Sequence, residues 1–130
     1  MMGIIEFRQE IERLDLRKGE YAIFGSGTLL ALEIIHYVTD IDVIVTKKEY
    51  ERLKIIFEVK EEGSLIYKSN SHTIEIFNKW MGLNVDRIIR EAIVIQQIPY
   101  ASLLDVLMFK YIMSRPKDIE HINQIRKYLS

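Results

Sequence analysis

The 130-residue sequence contains no cysteine. That excludes a disulfide framework, a thiolate zinc site and a thiol nucleophile, and it leaves any metal chemistry to oxygen and imidazole ligands. An excess of one charge is missing too: 18 Lys and Arg stand against 19 Asp and Glu, giving a net charge of -1 and a pI of about 6.3. No global positive field exists to gather nucleic acid or coat an anionic membrane, so any polyanion site must be local. No apolar run reaches membrane-spanning length, and the start, Met1-Met2-Gly3-Ile4-Ile5-Glu6-Phe7-Arg8, lacks the basic flank and apolar stretch of a signal peptide. A soluble, cytoplasmic protein is expected. Repeats, low-complexity tracts and linkers are absent as well. What remains is a globular balance, 48% apolar and 28% charged, in a length that suits one domain, 1–130, with a core that needs no metal or disulfide.

The apolar periodicity sets out the elements. Ile4, Phe7, Ile11 and Leu14 recur every three or four residues and predict an amphipathic helix closed by Lys18-Gly19. Tyr21-Ala22-Ile23-Phe24 reads as a short buried strand, Gly25-Ser26-Gly27 as a turn, and Thr28 to Tyr37 as a helix. Asp40 to Val45 begins charged and ends wholly apolar, as a strand does when one end opens on solvent. Thr46, with Glu49 three residues on, gives a capping-box pattern for a helix from Lys47 to about Phe57. Strands follow at Leu65 to Lys68 and Thr73 to Phe77, joined by the polar turn Ser69-Asn70-Ser71-His72 as a hairpin. Ala92 to Ile98 reads as one further strand ended by Pro99. Ser102 opens a helix to Met113, Arg115-Pro116 breaks it, and Lys117 to Leu129 forms the last helix.

Chemistry gathers at Asp40-Ile41-Asp42-Val43. Residues two apart on a strand share a face at a separation of roughly 7 Å, so both carboxylates can meet one metal cluster. Mg²⁺ prefers oxygen ligands and takes one or two protein carboxylates while phosphates and waters fill the rest. Thirteen residues separate Ser26 from Asp40, room for one helix and a turn. Gly25 lets the backbone approach a phosphate, the Ser26 hydroxyl can hydrogen-bond it, and the following helix N-terminus adds a favourable dipole. Phosphate and metal would then be neighbours.

These residues resemble the nucleotidyltransferase superfamily, the polymerase-β-like minimal nucleotidyltransferase domain. Its pattern is Gly-Ser or Gly-Gly, a helix, then Asp-hydrophobic-Asp-hydrophobic on the next strand. The resemblance implies a third carboxylate from a later strand, and in Thr73-Ile74-Glu75-Ile76-Phe77 only Glu75 fits. Lys110 and the block Arg115-Pro116-Lys117-Asp118 further resemble the C-terminal helices of the AbiEii-toxin-like and small antibiotic-transferase branches, where Lys-x4-Arg-Pro-Lys-Asp recurs. Lys110 either snorkels to the surface or faces phosphates, and the phosphate role is preferred. Asp118 reads as a helix-start residue favoured by the dipole.

The implied fold is α/β (α+β), a mixed sheet of about four to five strands packed by helices, with C-terminal helices. The implied site has Asp40, Asp42 and Glu75 on Mg²⁺, or Mn²⁺, with Gly25, Ser26 and Lys110 on the triphosphate of an NTP substrate. The implied reaction moves a nucleoside monophosphate to a hydroxyl of RNA, protein or a small molecule, in a toxin-antitoxin or antibiotic-modifying setting. The alternative is a non-catalytic nucleotide-binding module acting through a partner. A homodimer or partner protein would complete the acceptor pocket, and no membrane association is expected. His36, His72 and His121 show no metal-ligand spacing, and Trp80 with Met81 reads as packing.

Overall fold

A computed structural model of the protein describes residues 1–69 and 72–130. In chain order the elements are α1 (Ile4–Arg13), β1 (Tyr21–Phe24), α2 (Ser26–Ala31), β2 (Asp40–Val45), α3 (Lys47–Leu53), β3 (Glu58–Val59) and β4 (Leu65–Lys68). They continue with β5 (Thr73–Phe77), α4 (Val85–Arg90), β6 (Ile93–Ile95), β7 (Ile98–Tyr100), α5 (Leu103–Met113) and α6 (Pro116–Leu129). Of the turn expected between β4 and β5, Asn70 and Ser71 lie outside the described residues. No helix among the described residues is long and apolar enough to cross a membrane.

The strands form one sheet in the order β3-β4-β5-β2-β1-β7-β6. The β2·β5 and β1·β7 pairs are parallel and the others antiparallel. Seven strands among the described residues exceed the four to five expected. One addition is the two-residue β3. The other comes from 92–98, which is not a single strand: Gln96 and Gln97, at φ 51° and 69°, turn the chain back so that Pro99 pairs with Val94. Two consecutive left-handed residues make the turn type that matches hairpin twist, here without the Gly or Asn that usually announces it.

The period of two divides the core between the two sheet faces. Ile23, Val43, Val45, Ile74 and Ile76 pack with Phe7 and Ile11 of α1 on one face. Ala22, Phe24 and Ile44 pack with Ile88, Val106, Phe109 and Ile125 of α4, α5 and α6 on the other. Asp40, Asp42, Glu75 and Phe77 alternate with the first set, so they belong to the second face. This parity is what assembles the site.

Several helices are shorter than their apolar patterns. In α2 the chain stops at Leu32 because Glu33 takes φ 60°. Ile34 N–H then donates to Leu29 O at 2.9 Å and Glu33 N–H to Leu30 O at 3.1 Å, the paired bonds of a Schellman end. The apolar residues beyond it still pack, but as irregular chain. The α1 helix ends before Lys18-Gly19, with Asp15 already at φ 50°. At α3 only half of the capping box forms: Thr46 Oγ accepts from Glu49 N–H at 3.2 Å, while the Glu49 carboxylate accepts from Arg17 N–H and Arg52 instead. The α4 helix, which the apolar pattern does not announce, is capped by Asn84, whose side chain accepts from Arg87 N–H at 3.1 Å.

Close packing of α2 against β1 depends on Gly27. A Cβ there would stand 2.3 Å from Ile23 Cγ2 and 2.9 Å from Phe7 Cζ. Neither neighbour is the loose end of a flexible chain. Gly27→Ala is therefore expected to cost about 1–3 kcal/mol through overpacking, read as a lower urea midpoint with an unchanged slope.

Candidate functional site

The site lies where β1 ends, β2 begins and β5 passes alongside. Asp42 is opposite Phe24 on one side and in register with Glu75 on the other. Asp40, one step toward solvent on the same face, is in register with Thr73 and is exposed. Burial pushes the Asp42 carboxyl up to about 6, helped by the negative charges of Glu75 and then Asp40, while Lys117 and Lys110 pull the other way. A strand that placed one aspartate in the half-dry row beside a glutamate has built a spot with unmet demand for positive charge.

Lys60 meets part of that demand. Its Nζ donates to Glu75 Oε2 at 3.2 Å and lies 3.3 Å from Glu62 Oε1. No three carboxylate or imidazole groups among the described residues converge closely enough to hold an ion as they stand. The carboxylates of Asp40, Asp42 and Glu75 are thus gathered by register and by field. Their chemistry suits a hard divalent cation, which would compete with Lys60 for Glu75. Lys60 was not legible as a site residue, since it stands in a connecting segment with no pattern around it.

Across the cleft, Gly25 adopts φ 69° and ψ -136°, a conformation open essentially to glycine alone. A Cβ added here would lie 3.5 Å from Asp42 Oδ2, so the turn and the carboxylate are in contact range. Ser26 begins α2, which is tied down by the buried bond from Thr28 Oγ1 to Ala101 O at 2.9 Å. The Ser26 hydroxyl accepts from Lys110 Nζ at 3.2 Å.

Lys110 does not snorkel. It is 1% exposed, in the last turn of α5. Its ammonium pairs with Asp118 Oδ1 at 3.2 Å, and burial holds its pKa below the ordinary lysine value against the pull of Asp118. Asp118, fully buried, is more than the helix-start residue expected. Its carboxylate accepts from Arg115 N–H at 3.0 Å and from the Arg115 guanidinium at 2.5 and 3.1 Å. Burial alone would raise its pKa, but Arg115 and then Lys110 outweigh it and hold the carboxyl down to about 2. The result is a clamp in which Asp118 favours the charged form of a buried lysine and aims it at Ser26.

Asp118→Asn is expected to lower stability by roughly 2–3 kcal/mol, because Lys110 and Arg115 would face a neutral amide whose oxygen still accepts. Urea unfolding measures it. Adding Lys110→Met should recover part of the loss by removing the stranded charge. Because the Asp118 pKa is depressed, this contribution is complete above the unfolded value near 3.8 and fades as pH falls toward 2.

The residues Gly25, Ser26, Asp40, Asp42, Glu75 and Lys110 all line one cleft of about 930 Å³. Lys47, Tyr50 and Lys117 line it too, as do Phe77, Trp80, Phe109 and His121. Burial, then the nearby Lys110 charge, lowers the His121 pKa and favours the neutral ring. A cleft of this size with convergent carboxylates, a hydroxyl and a buried lysine has the capacity of a small-molecule site.

The fold is a nucleotidyltransferase-like α/β arrangement. The protein is similar over 98% of its length to 95% of a crystal structure of a putative nucleotidyltransferase from Thermotoga maritima, with a TM-score of 0.57 and 18% sequence identity. At that identity the likeness speaks for the fold alone. No protein-family model and no curated protein matches the sequence.

Proposed function

We propose that the protein is a Mg²⁺-dependent nucleotidyltransferase that moves a nucleoside monophosphate from a nucleoside triphosphate to a hydroxyl acceptor. The observation that carries this reading is the crowding of Asp42 against Glu75, opposite a glycine turn, a serine hydroxyl and a buried lysine. Asp40, Asp42 and Glu75 would hold Mg²⁺ or Mn²⁺. When bound, the metal neutralises phosphate charge and acidifies the acceptor hydroxyl.

The chain's own groups divide the remaining work. Ser26 donates a hydrogen bond to a phosphate oxygen, and Lys110 supplies a positive charge to the triphosphate. The acceptor oxygen attacks the α-phosphorus as the bond to the bridging oxygen breaks, and that electron pair leaves with pyrophosphate. Glu75, where it does not ligate the metal, takes the proton that the acceptor loses. No covalent enzyme intermediate is required, so positioning and charge carry the acceleration. The Arg115-Pro116-Lys117-Asp118 block supports the AbiEii-like or small antibiotic-transferase branch. The acceptor is RNA, a protein or a small molecule, and a second copy or a partner protein would complete its pocket.

The Lys60 hold on Glu75 favours one rival, a nucleotide-binding module that does not catalyse. Thermal unfolding with Mg²⁺-ATP or Mg²⁺-GTP comes first, since a ligand of the native state must raise the melting temperature. Incubation with α-labelled triphosphates and cell extract then asks whether label moves. Stabilisation with label transfer is expected. Stabilisation with neither label transfer nor pyrophosphate release would leave the binding module, and no stabilisation by any nucleotide would end both readings.

A further inference from the structure

Trp80 is the chain's only tryptophan, and packing alone does not account for its place. It stands on the turn after β5, half-buried, and lines the cleft beside Phe77 and the exposed Met81. Its ring touches three of the elements around the site, β1, β5 and α5. The indole stands edge-on to Phe77 at 4.2 Å between centroids and 88°. Phe77 is the next residue after Glu75 on the same sheet face, roughly 7 Å along the strand. The indole lies 5.4 Å from Phe24, which immediately precedes Gly25-Ser26, and 5.3 Å from Phe109, which immediately precedes Lys110. One aromatic cluster therefore joins the strands and helix that carry Glu75 and Lys110 and lead into Ser26, and the indole lines the same cleft as the carboxylates, the hydroxyl and the lysine.

The indole N–H is shut from solvent and has no hydrogen-bond partner among the described residues. A buried tryptophan normally finds an acceptor, so a ring kept only to fill space would be served at less cost by phenylalanine or leucine. Apolar and ring contacts hold it, with no polar bond to the indole among the described residues. The residue that bears this cost lines the cleft beside the phosphate-binding groups and offers the large π surface on which a base stacks.

We propose that Trp80, backed by Phe77 and Phe109, is the nucleobase subsite of this cleft. A triphosphate held by Ser26 and Lys110 stacks its base on the indole, purines more tightly than pyrimidines because they cover more of it. This inference rests on the proposed triphosphate reading and adds the part of the substrate that the carboxylates and lysine do not address.

The test uses Trp80 as its own reporter, excited selectively over the seven tyrosines. Fluorescence and calorimetric titrations compare Mg²⁺-ATP, Mg²⁺-GTP and Mg²⁺-UTP with Mg²⁺-tripolyphosphate, which has the charge but no base. The purine nucleotides should quench Trp80 and bind on the order of 10- to 100-fold more tightly than tripolyphosphate, the usual scale of base stacking on an aromatic side chain. By calorimetry, Trp80→Leu should erase that advantage and leave tripolyphosphate binding unchanged, while Trp80→Phe keeps most of it. Circular dichroism verifies that each variant folds, and should Trp80→Leu fail to, the wild-type comparison of nucleotides with tripolyphosphate, together with Trp80 quenching by the nucleotides but not by tripolyphosphate, decides. Full nucleotide affinity in Trp80→Leu, or nucleotides binding no better than tripolyphosphate to the wild type, would overturn the subsite while sparing the triphosphate reading. Absence of binding by both nucleotides and tripolyphosphate would overturn the two together. Equal affinity for purines and UTP would overturn the purine preference.

Discussion

Replacing Asp42 by asparagine is expected to cut Mg²⁺-dependent turnover on the order of 10³-fold or more and, at the same time, to stabilise the unliganded protein at neutral pH. The first effect follows from the proposed function. Groups that merely hold a metal ligand in place are worth about 10- to 100-fold, and Asp42 would be a ligand itself, at the centre of the carboxylate row. Asparagine keeps the shape and removes the charge. Wild-type turnover in this variant would sink the metal assignment.

The stability effect follows from proton binding. Native Asp42 titrates at about 6 against 3.8 for an ordinary aspartate, so between those values the folded state holds a proton that the unfolded state has lost. Stability therefore falls as pH rises through that window, and the cost is complete above about 6. The shift corresponds to roughly 3 kcal/mol at most. An uncharged asparagine side chain at this position carries no such cost. The variant should match the wild type near pH 4 and exceed it by roughly 2–3 kcal/mol above pH 6, as urea unfolding at both pH values would measure. Added Mg²⁺ should narrow the gap by stabilising only the wild type. Equal stability at neutral pH would mean that the carboxylates are not crowded, and the electrostatic case for a cation would go with it.

Legibility in the sequence followed the range of the forces involved. Strands β1, β2, β4 and β5 were readable to the residue because each is a short apolar or alternating run with clear ends. The parity that puts Asp42 and Glu75 on one face was implicit in those same letters. Their adjacency was not, since nothing local states that β5 pairs parallel to β2 in the register Asp42 to Glu75. Helix ends failed where a residue without a conformational signature turned left-handed, as Glu33 does, and the 92–98 strand failed for the same reason at the Gln96-Gln97 pair. Asp118 misled for a different reason. A carboxylate in a first helical turn has a sufficient local explanation, and its bond to Lys110 is a contact between elements that only packing creates. Lys60 and Trp80 carried no pattern at all, because each acquires its meaning from what the fold sets opposite it.

Glu75→Gln is expected to lower turnover on the order of 10²–10⁴, the usual contribution of a general base, and its effect on affinity assigns the residue its role. Glutamine keeps the size and can still meet Lys60, but it cannot take a proton and carries no charge toward a metal. A Glu75 that serves as base leaves nucleotide affinity within a few-fold and loses only rate. If it serves mainly as a metal ligand, affinity for Mg²⁺-triphosphate falls with the rate, and raising Mg²⁺ restores part of both. The register favours the second outcome, since Glu75 sits directly across from Asp42, where one ion can meet both. Lys60 provides an independent check: it occupies Glu75 Oε2 in the unliganded protein, so its charge competes with a cation there. Lys60→Met should then tighten Mg²⁺ binding in the wild-type background and do nothing in Glu75→Gln. A Glu75→Gln enzyme with unaltered binding and rate would show that the third carboxylate merely partners Lys60, and the site would contract to Gly25, Ser26, Asp40 and Asp42 with Lys110.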